Sequence, residues 1–304
     1  MRIREWGKVC DQVWRLGDAE CCVYLIQGRK TTLMLNGGLA VLVPQVLDQL
    51  CQLGRTPADI DAYLITHSHF DHNGCVPYFK RQKPAMTVYA SHRAAEVLRK
   101  PAVVESINRQ AAFAIDAHGM AGIKSQYALD WWPELPIEEL SEGDSINLGD
   151  LHLEIIETPG HAPCCISAYI PELKMLFPSD SAAIPLKDKF LPYGTSNFIL
   201  FQASLQKLEH LPVEYLCSDH YAWIRGDEAR DYIGSTIAEA ERRRRLMLEA
   251  YARCGTIDAA AVELATLFQD EYVDDLMPWT GFLDSFRAML RVVVAHGSGN
   301  QTGV

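Results

Sequence analysis

The sequence predicts an α/β fold with its chemistry gathered at strand ends, and three observations predict it. Short apolar runs alternate with amphipathic stretches of helical period between residues 12 and 208, the pattern of strands interleaved with helices. One such run, Ala62-Tyr63-Leu64-Ile65, feeds directly into Thr66-His67-Ser68-His69-Phe70-Asp71-His72-Asn73-Gly74. Three later apolar segments also end in polar ligand types: 153–158 runs into Pro159-Gly160-His161, 174–177 into Pro178-Ser179-Asp180, and 213–217 into Ser218-Asp219-His220. In open α/β architectures, strand ends are where ligands and catalytic groups collect.

The first of these loops packs three imidazoles and a carboxylate into six residues, which core packing does not explain. His67 and His69 alternate, so an extended turn can aim both at one ion, with Asp71 and His72 displaced toward a second. Mixed imidazole and carboxylate donors suit zinc, iron or manganese rather than calcium or magnesium. With His161, Asp180 and His220, five histidines and two aspartates form one candidate constellation.

This ordered set of His67, His69, Asp71, His72, His161, Asp180 and His220 is similar to the ligand set of the metallo-β-lactamase-fold hydrolases, over residues 10–225. The resemblance implies an αββα sandwich, two mixed sheets face to face with helices outside and two divalent transition-metal ions at one edge. It implies that His67, His69 and His161 bind one ion, that Asp71, His72 and His220 bind the other, and that Asp180 bridges them. Asp71 and Asp180 would then be the catalytic carboxylates.

Taken in order, residues 12–35 hold three apolar runs separated by Gly17-Asp18 and Gly28, read as antiparallel strands of the first sheet. Asn36-Gly37-Gly38 follows, where most relatives of the fold carry aspartate before the first glycine; Asn36 lies outside the implied ligand set. Residues 43–53 have helical period. Thr87-Val88-Tyr89-Ala90 is a strand, and Ser91 is placed to cap a helix starting at His92. Pro101 interrupts that helix, and 103–117 forms another before Gly119, at a point where fold members often insert a substrate-covering element. His92 and His118 read as surface histidines, and Trp131-Trp132 as packing under a loop that returns to the second sheet. Glu142-Gly143-Asp144 and Asn147-Leu148-Gly149-Asp150 signal hairpin turns, and His152 should face solvent. The loop 181–197, with Lys187, Lys189, Phe190 and Tyr193, reads equally as a cover for a substrate or as a solvated connection, and 198–208 is helical.

Beyond His220 the character changes. Helices over 227–253, 257–269 and 280–295 carry none of the ligand set, so the chain divides into a catalytic domain (1–226) and a helical cap or partner-binding extension (227–304). Arg242, Arg243, Arg244 and Arg245 wrap more than one helical turn, so they cannot all face water. A solvated face paired with Glu241 and Glu249 competes with a homodimer or partner surface. Leu276, Phe282 and Ser285, at the entrance to the last helix, join Tyr193 as candidate substrate-binding residues.

Composition bounds the rest. Hydrophobic content of 48% with 22% charged is that of a globular domain. A net charge of −11, from 28 basic against 39 acidic residues, argues against nucleic acid as the main ligand, though it leaves room for a local basic patch. Nine cysteines in irregular spacing form neither a disulfide framework nor a zinc ribbon, and Cys75, Cys164 and Cys165 read as structural. The N-terminus lacks a secretory apolar core and no run is long enough to span a membrane, so a cytoplasmic location is expected.

Among fold relatives, lactonases place a tyrosine just after the bridging aspartate, where this chain has Ser181-Ala182-Ala183. Flavodiiron proteins carry glutamate at the position of His69, and zinc β-lactamases lack the aspartate and histidine of the second site. Glyoxalase-II-type thioesterases have the full set and a helical cap. Similarity to the quinolone-signal response thioesterases extends further, through Asn108-Arg109-Gln110, the arginine-rich helix and Ser285-Phe286-Arg287-Ala288-Met289-Leu290. That family implies an iron pair and a regulatory role, and has glutamate where Ile184 stands here. Two adjacent ions lower the pKa of water toward ~7, so a hydrolase of this kind needs no serine or cysteine nucleophile. The expected function is a thioesterase acting on an acyl-CoA or similar thioester. The alternatives are a phosphodiesterase or other ester hydrolase, with Lys187 and Lys189 as its cations, and a regulatory binding protein with secondary catalytic activity.

Overall fold

The computed structural model describes residues 1–272 and 278–299. The chain enters through β1 (Arg2–Ile3), β2 (Gly7–Cys10), β3 (Val13–Gly17), β4 (Cys22–Gln27) and β5 (Thr32–Leu35). Helix α1 (Val43–Gln52) leads to β6 (Ala62–Ile65), α2 (Val76–Gln82) and β7 (Thr87–Ser91). Helices α3 (His92–Leu98), α4 (Pro101–Ala117) and α5 (Ile123–Tyr127) precede β8 (Glu138–Leu140). Strands β9 (Ser145–Asn147), β10 (His152–Glu157), β11 (Ile166–Ile170) and β12 (Met175–Phe177) run to α6 (Phe198–Leu208), β13 (Tyr215–Cys217) and β14 (Trp223–Arg225). Helices α7 (Asp227–Cys254), α8 (Ile257–Leu267) and α9 (Trp279–Gly299) follow.

Among the described residues, these strands form two seven-stranded mixed sheets. One has the order β2-β3-β4-β5-β6-β7-β8, the other β1-β14-β13-β12-β11-β10-β9. Strand period sorts each side chain to one of two faces. Along β4, Cys22, Tyr24 and Ile26 enter the core between the sheets, while Val23 and Leu25 face the helical layer outside. On β12, Met175 and Phe177 point into the same inter-sheet core and Leu176 into the opposite helical layer. Both faces of the central strands are therefore buried, and their sequences are continuously apolar for that reason. The layering is αββα, with a C-terminal helical extension.

Several local expectations are met where the sequence supplies a mechanism. Ser91 Oγ accepts from Ala94 N at 3.1 Å and caps α3. The helix expected over 198–208 forms as α6, with Asn197, which the sequence did not single out, accepting from Ile199 N and Leu200 N at its start. Gly255, at φ +73°, terminates α7 in the left-handed conformation. His152 is exposed and pairs with Glu172 at 2.7 Å. Trp131 is buried with its Nε1 donating to the Leu98 carbonyl.

Other features differ from expectation. The segment after Trp131-Trp132 returns first to β8, parallel to β7 in the first sheet, and enters the second sheet only at β9. Strands β1, β2, β11 and β14 add to those the sequence predicts. One arginine of the run turns inward: Arg243 is 2% exposed and gives both oxygens of buried Glu271 a hydrogen bond, at 2.6 and 2.5 Å. Arg242 pairs with Glu239 and Arg244 with Glu241, each across three residues rather than four. Helices α7, α8 and α9 share one apolar core with the outer face of the second sheet, so the extension is packed on the sandwich. Among the described residues, no helix is long and apolar enough to cross a membrane, and all nine cysteines are free thiols.

Candidate metal centre

Each group of the constellation sits where a strand has just ended. The His67–His72 loop leaves β6 and is tied to the exit of β5 by Gly37 N to His72 O at 2.7 Å and Gly74 N to Gly38 O at 2.9 Å. This approach leaves no room for a side chain, since a Cβ on Gly74 would lie 2.2 Å from Ala40 N. Gly160 does the same for His161: at φ +148°, its Cβ would meet Phe201 Cα of α6 at 2.4 Å. Asp180 follows β12, and His220 lies between β13 and β14.

The seven side chains converge. His69 Nδ1 lies 3.1 Å from His67 Nε2 and 3.0 Å from His161 Nε2. His161 Nδ1 faces the Tyr193 carbonyl at 2.8 Å and His220 Nδ1 the Glu20 carbonyl at 2.7 Å. A carbonyl can only accept, so both Nδ1 atoms donate, leaving Nε2 with its lone pair toward the centre in the neutral imidazole. Asp180 Oδ2 is 3.3 Å from both His72 Nε2 and His161 Nε2 and 3.9 Å from His67 Nε2. Its Oδ1 is 3.5 Å from His220 Nε2. Asp71 Oδ2 reaches His72 Nε2 at 3.4 Å and His220 Nε2 at 3.9 Å. Asp180 thus touches histidines of both implied sites.

Electrostatics separates the two halves. Burial, then the charges of His72 and His69, holds His67 well below the usual imidazole range. His69, walled by protein yet open to the cavity beside it, is lowered to about 4 by burial and by His161. Burial opposes ionisation of Asp180, but His72, His220 and His161 keep it well below the carboxylate range. Burial also opposes protonation of His220, which the Asp180 carboxylate nevertheless raises to about 9. One side therefore presents neutral imidazoles and the other carboxylates that call for positive charge. His72 Nε2 and Asp180 Oδ1 are buried without a hydrogen-bond partner, a costly state that coordination relieves. The donor set fits divalent ions: His67, His69 and His161 form one compact group and His67, His72 and Asp180 another.

The sequence reading missed three residues around this centre. Asn36 Oδ1 is 2.9 Å from His72 Nδ1, so the departure from aspartate stands directly behind a member of the constellation rather than apart from the site. Asp219 Oδ2 lies 3.2 Å from the same nitrogen. Cys21 Sγ falls in a third compact group with Asp71 and His220. The signals available in advance were the adjacency of Asp219 to His220 and the departure from aspartate at Asn36.

The centre opens into a cavity of about 570 Å³. His69, Asp71, His161, Asp180 and His220 form its floor. Tyr193, Phe282 and Ser285 line its walls, together with Val103, Ile107 and Gln110 of α4. Leu276 lies outside the described residues. Lys187 and Lys189 do not line the cavity; Lys189 instead pairs with Asp270.

An αββα sandwich carrying a histidine and aspartate centre at its strand ends defines the class of metallo-hydrolases. The model of the metallo-beta-lactamase superfamily matches residues 16–220, and the chain belongs to that superfamily. It is 28% identical over 194 residues to acyl-coenzyme A thioesterase MBLAC2 of Gallus gallus, covering 62% of this chain and 66% of that protein. It is 26% identical over 184 residues to a hydroxyacylglutathione hydrolase of Xylella fastidiosa (strain M12), covering 60% and 55%. The chain thus spans about half to two-thirds of the length of these curated relatives. A metallo-beta-lactamase family protein of Thermus thermophilus superposes with a TM-score of 0.67 at 17% identity, covering 95% of each chain, which shows the shared fold.

Proposed function

We propose that this chain is a dinuclear-metal-dependent thioesterase acting on an acyl-CoA or a similar thioester. The observation that carries the reading is the cavity: about 570 Å³ set directly on the histidine and aspartate cluster, with no lysine or arginine among its described lining residues. Ile184, Leu191, Phe282 and Ala288 give it apolar walls suited to an uncharged acyl group. A phosphodiester would need cationic partners there, and Lys187 and Lys189 lie elsewhere. Relatives named as an acyl-coenzyme A thioesterase and a hydroxyacylglutathione hydrolase support the same choice.

In this reading His67, His69 and His161 hold one ion, Asp71, His72 and His220 hold the second, and Asp180 serves both. The ions, when bound, supply Lewis acidity and a water of lowered pKa. The residues do the rest. Ser179 Oγ, at 3.1 Å from His67 Nδ1, and the Tyr193 and Glu20 carbonyls fix the imidazoles so that their inner nitrogens point at the centre. Asp71 and Asp180 reach the cavity floor, where their carboxylates would orient a water toward the substrate. Residues 1–226 provide this machinery, while α9 of the 227–304 extension closes the cavity through Phe282, Ser285 and Ala288. Zinc and iron both suit the donors, with manganese a third choice.

The test is a panel of acyl-CoA thioesters, phosphodiesters and lactones with protein reconstituted with zinc, iron or manganese. Fastest turnover is expected on a thioester with an apolar acyl group. A clear preference for a phosphodiester overturns the proposal.

A further inference from the structure

Cys21 occupies a place that packing alone does not call for. It sits just before β4, 1% exposed, and its Sγ, a carboxylate oxygen of Asp71 and a ring nitrogen of His220 all lie within 4.8 Å of one another. The thiol donates to the Asp71 backbone carbonyl at 3.1 Å, which holds Sγ beside the ligand loop. A small cleft of about 80 Å³, distinct from the main cavity, is lined by Cys21, Asp71 and His220 and rimmed by Phe70 and Phe113. The Asp71 and His220 pair therefore has open space on two sides, and the sulfur stands on the second. Nearby, His72 Nε2 and Asp180 Oδ1 are buried without hydrogen-bond partners. Of the other cysteines near the centre, Cys164 Sγ contacts Ser68 Oγ at 3.3 Å, Cys75 Sγ the Leu39 carbonyl at 3.4 Å and Cys22 Sγ the Ser218 carbonyl at 3.3 Å, and Cys21 is the one that groups with metal-type donors among the described residues.

We propose that Cys21 is a thiolate ligand of the ion held by Asp71, His72 and His220, making that site a mixed nitrogen, oxygen and sulfur site. This inference rests on the dinuclear reading above. On binding, the S–H bond breaks, sulfur donates its electron pair to the ion, and the proton leaves to solvent by way of the small cleft. A soft sulfur donor biases the site toward zinc, iron or cobalt and away from manganese.

The test is titration of apo-protein with cobalt(II), followed by absorption, metal analysis and proton release. The wild-type chain should bind two equivalents, and one of them should bring a near-ultraviolet thiolate-to-cobalt charge-transfer band. Cys21→Ser should lose that band and release one proton fewer. Its weaker equivalent should also bind at least about tenfold less tightly, since outer-sphere partners alone are worth 10- to 100-fold. Cys164→Ser and Cys75→Ser should keep the band. Cys21→Ala serves the same purpose if the serine variant misfolds. Two equivalents of cobalt without the band, or a band that survives in Cys21→Ser and Cys21→Ala, overturn the thiolate and leave the metal centre standing. No cobalt binding by the folded wild-type chain overturns both.

Discussion

The buried ion pair under the cavity wall gives the sharpest test of how the helical extension is held. Arg243 of α7 is 2% exposed, spans to both oxygens of Glu271 at 2.6 and 2.5 Å, and lies 4.2 Å from the centre of the Phe268 ring. Arg243→Met keeps the stem but strands the Glu271 carboxylate, because the other acid on Arg243, Glu239, retains Arg242 at 2.7 Å. Removing one partner of a buried pair costs about 3–5 kcal/mol. At roughly 2 °C per kcal/mol for a large domain, the thermal midpoint should fall by about 6–10 °C. The loss should depend on pH in a defined direction. Burial raises the Glu271 carboxyl above its usual 4.5, against the pull of Arg243. The folded chain therefore binds more protons than the unfolded one above that value. Its contribution is full below the unfolded pKa and is lost as pH rises through the folded pKa. Without Arg243 the folded pKa rises further, so the deficit against wild type should shrink toward pH 5 and widen toward pH 8. Arg243→Met/Glu271→Leu removes both charges and should recover most of the stability. A single variant that loses under ~1 kcal/mol, or a double variant no better than the single, would refute this account.

Further outcomes follow from the same geometry. Asp180→Ala should lower occupancy of both metal positions, read by elemental analysis, because its two oxygens face histidines of both halves; full occupancy would remove its bridging role. Ser285→Trp fills the cavity wall and should slow a bulky thioester far more than a small one at unchanged metal content; equal effects would place α9 outside the substrate's reach. Ser91→Ala removes the α3 cap and the hydrogen bond from Ser91 Oγ to the Cys164 carbonyl at 2.7 Å. A loss of about 1–3 kcal/mol is expected, measured by denaturant midpoint, with metal content intact.

What the sequence revealed, and what it hid, divides by the range of the interaction responsible. Helix α6 is legible because its apolar positions repeat within eleven residues. The His67–His72 loop is legible because the residue types are themselves the signal. Strand β1 has two residues, Arg2 and Ile3, and exists only because Ile224 and Trp223, distant in sequence, pair with them in the sheet. No local pattern can announce such a strand. Asn36 and Cys21 are hidden for the same reason: each reads as an ordinary loop or core residue until the fold brings His72 or Asp71 against it. The arginine run sits between these cases. Helical geometry states that four consecutive arginines cannot all be solvated, but which one turns inward depends on Glu271, 28 residues away. That answer also bears on function. Glu271 lines the cavity whose floor is the metal centre, so the pair that docks the extension is built into the wall facing substrate. Docking of the helices and shaping of the cavity are thus one structural act, and a change at Arg243 should be read in both stability and substrate preference.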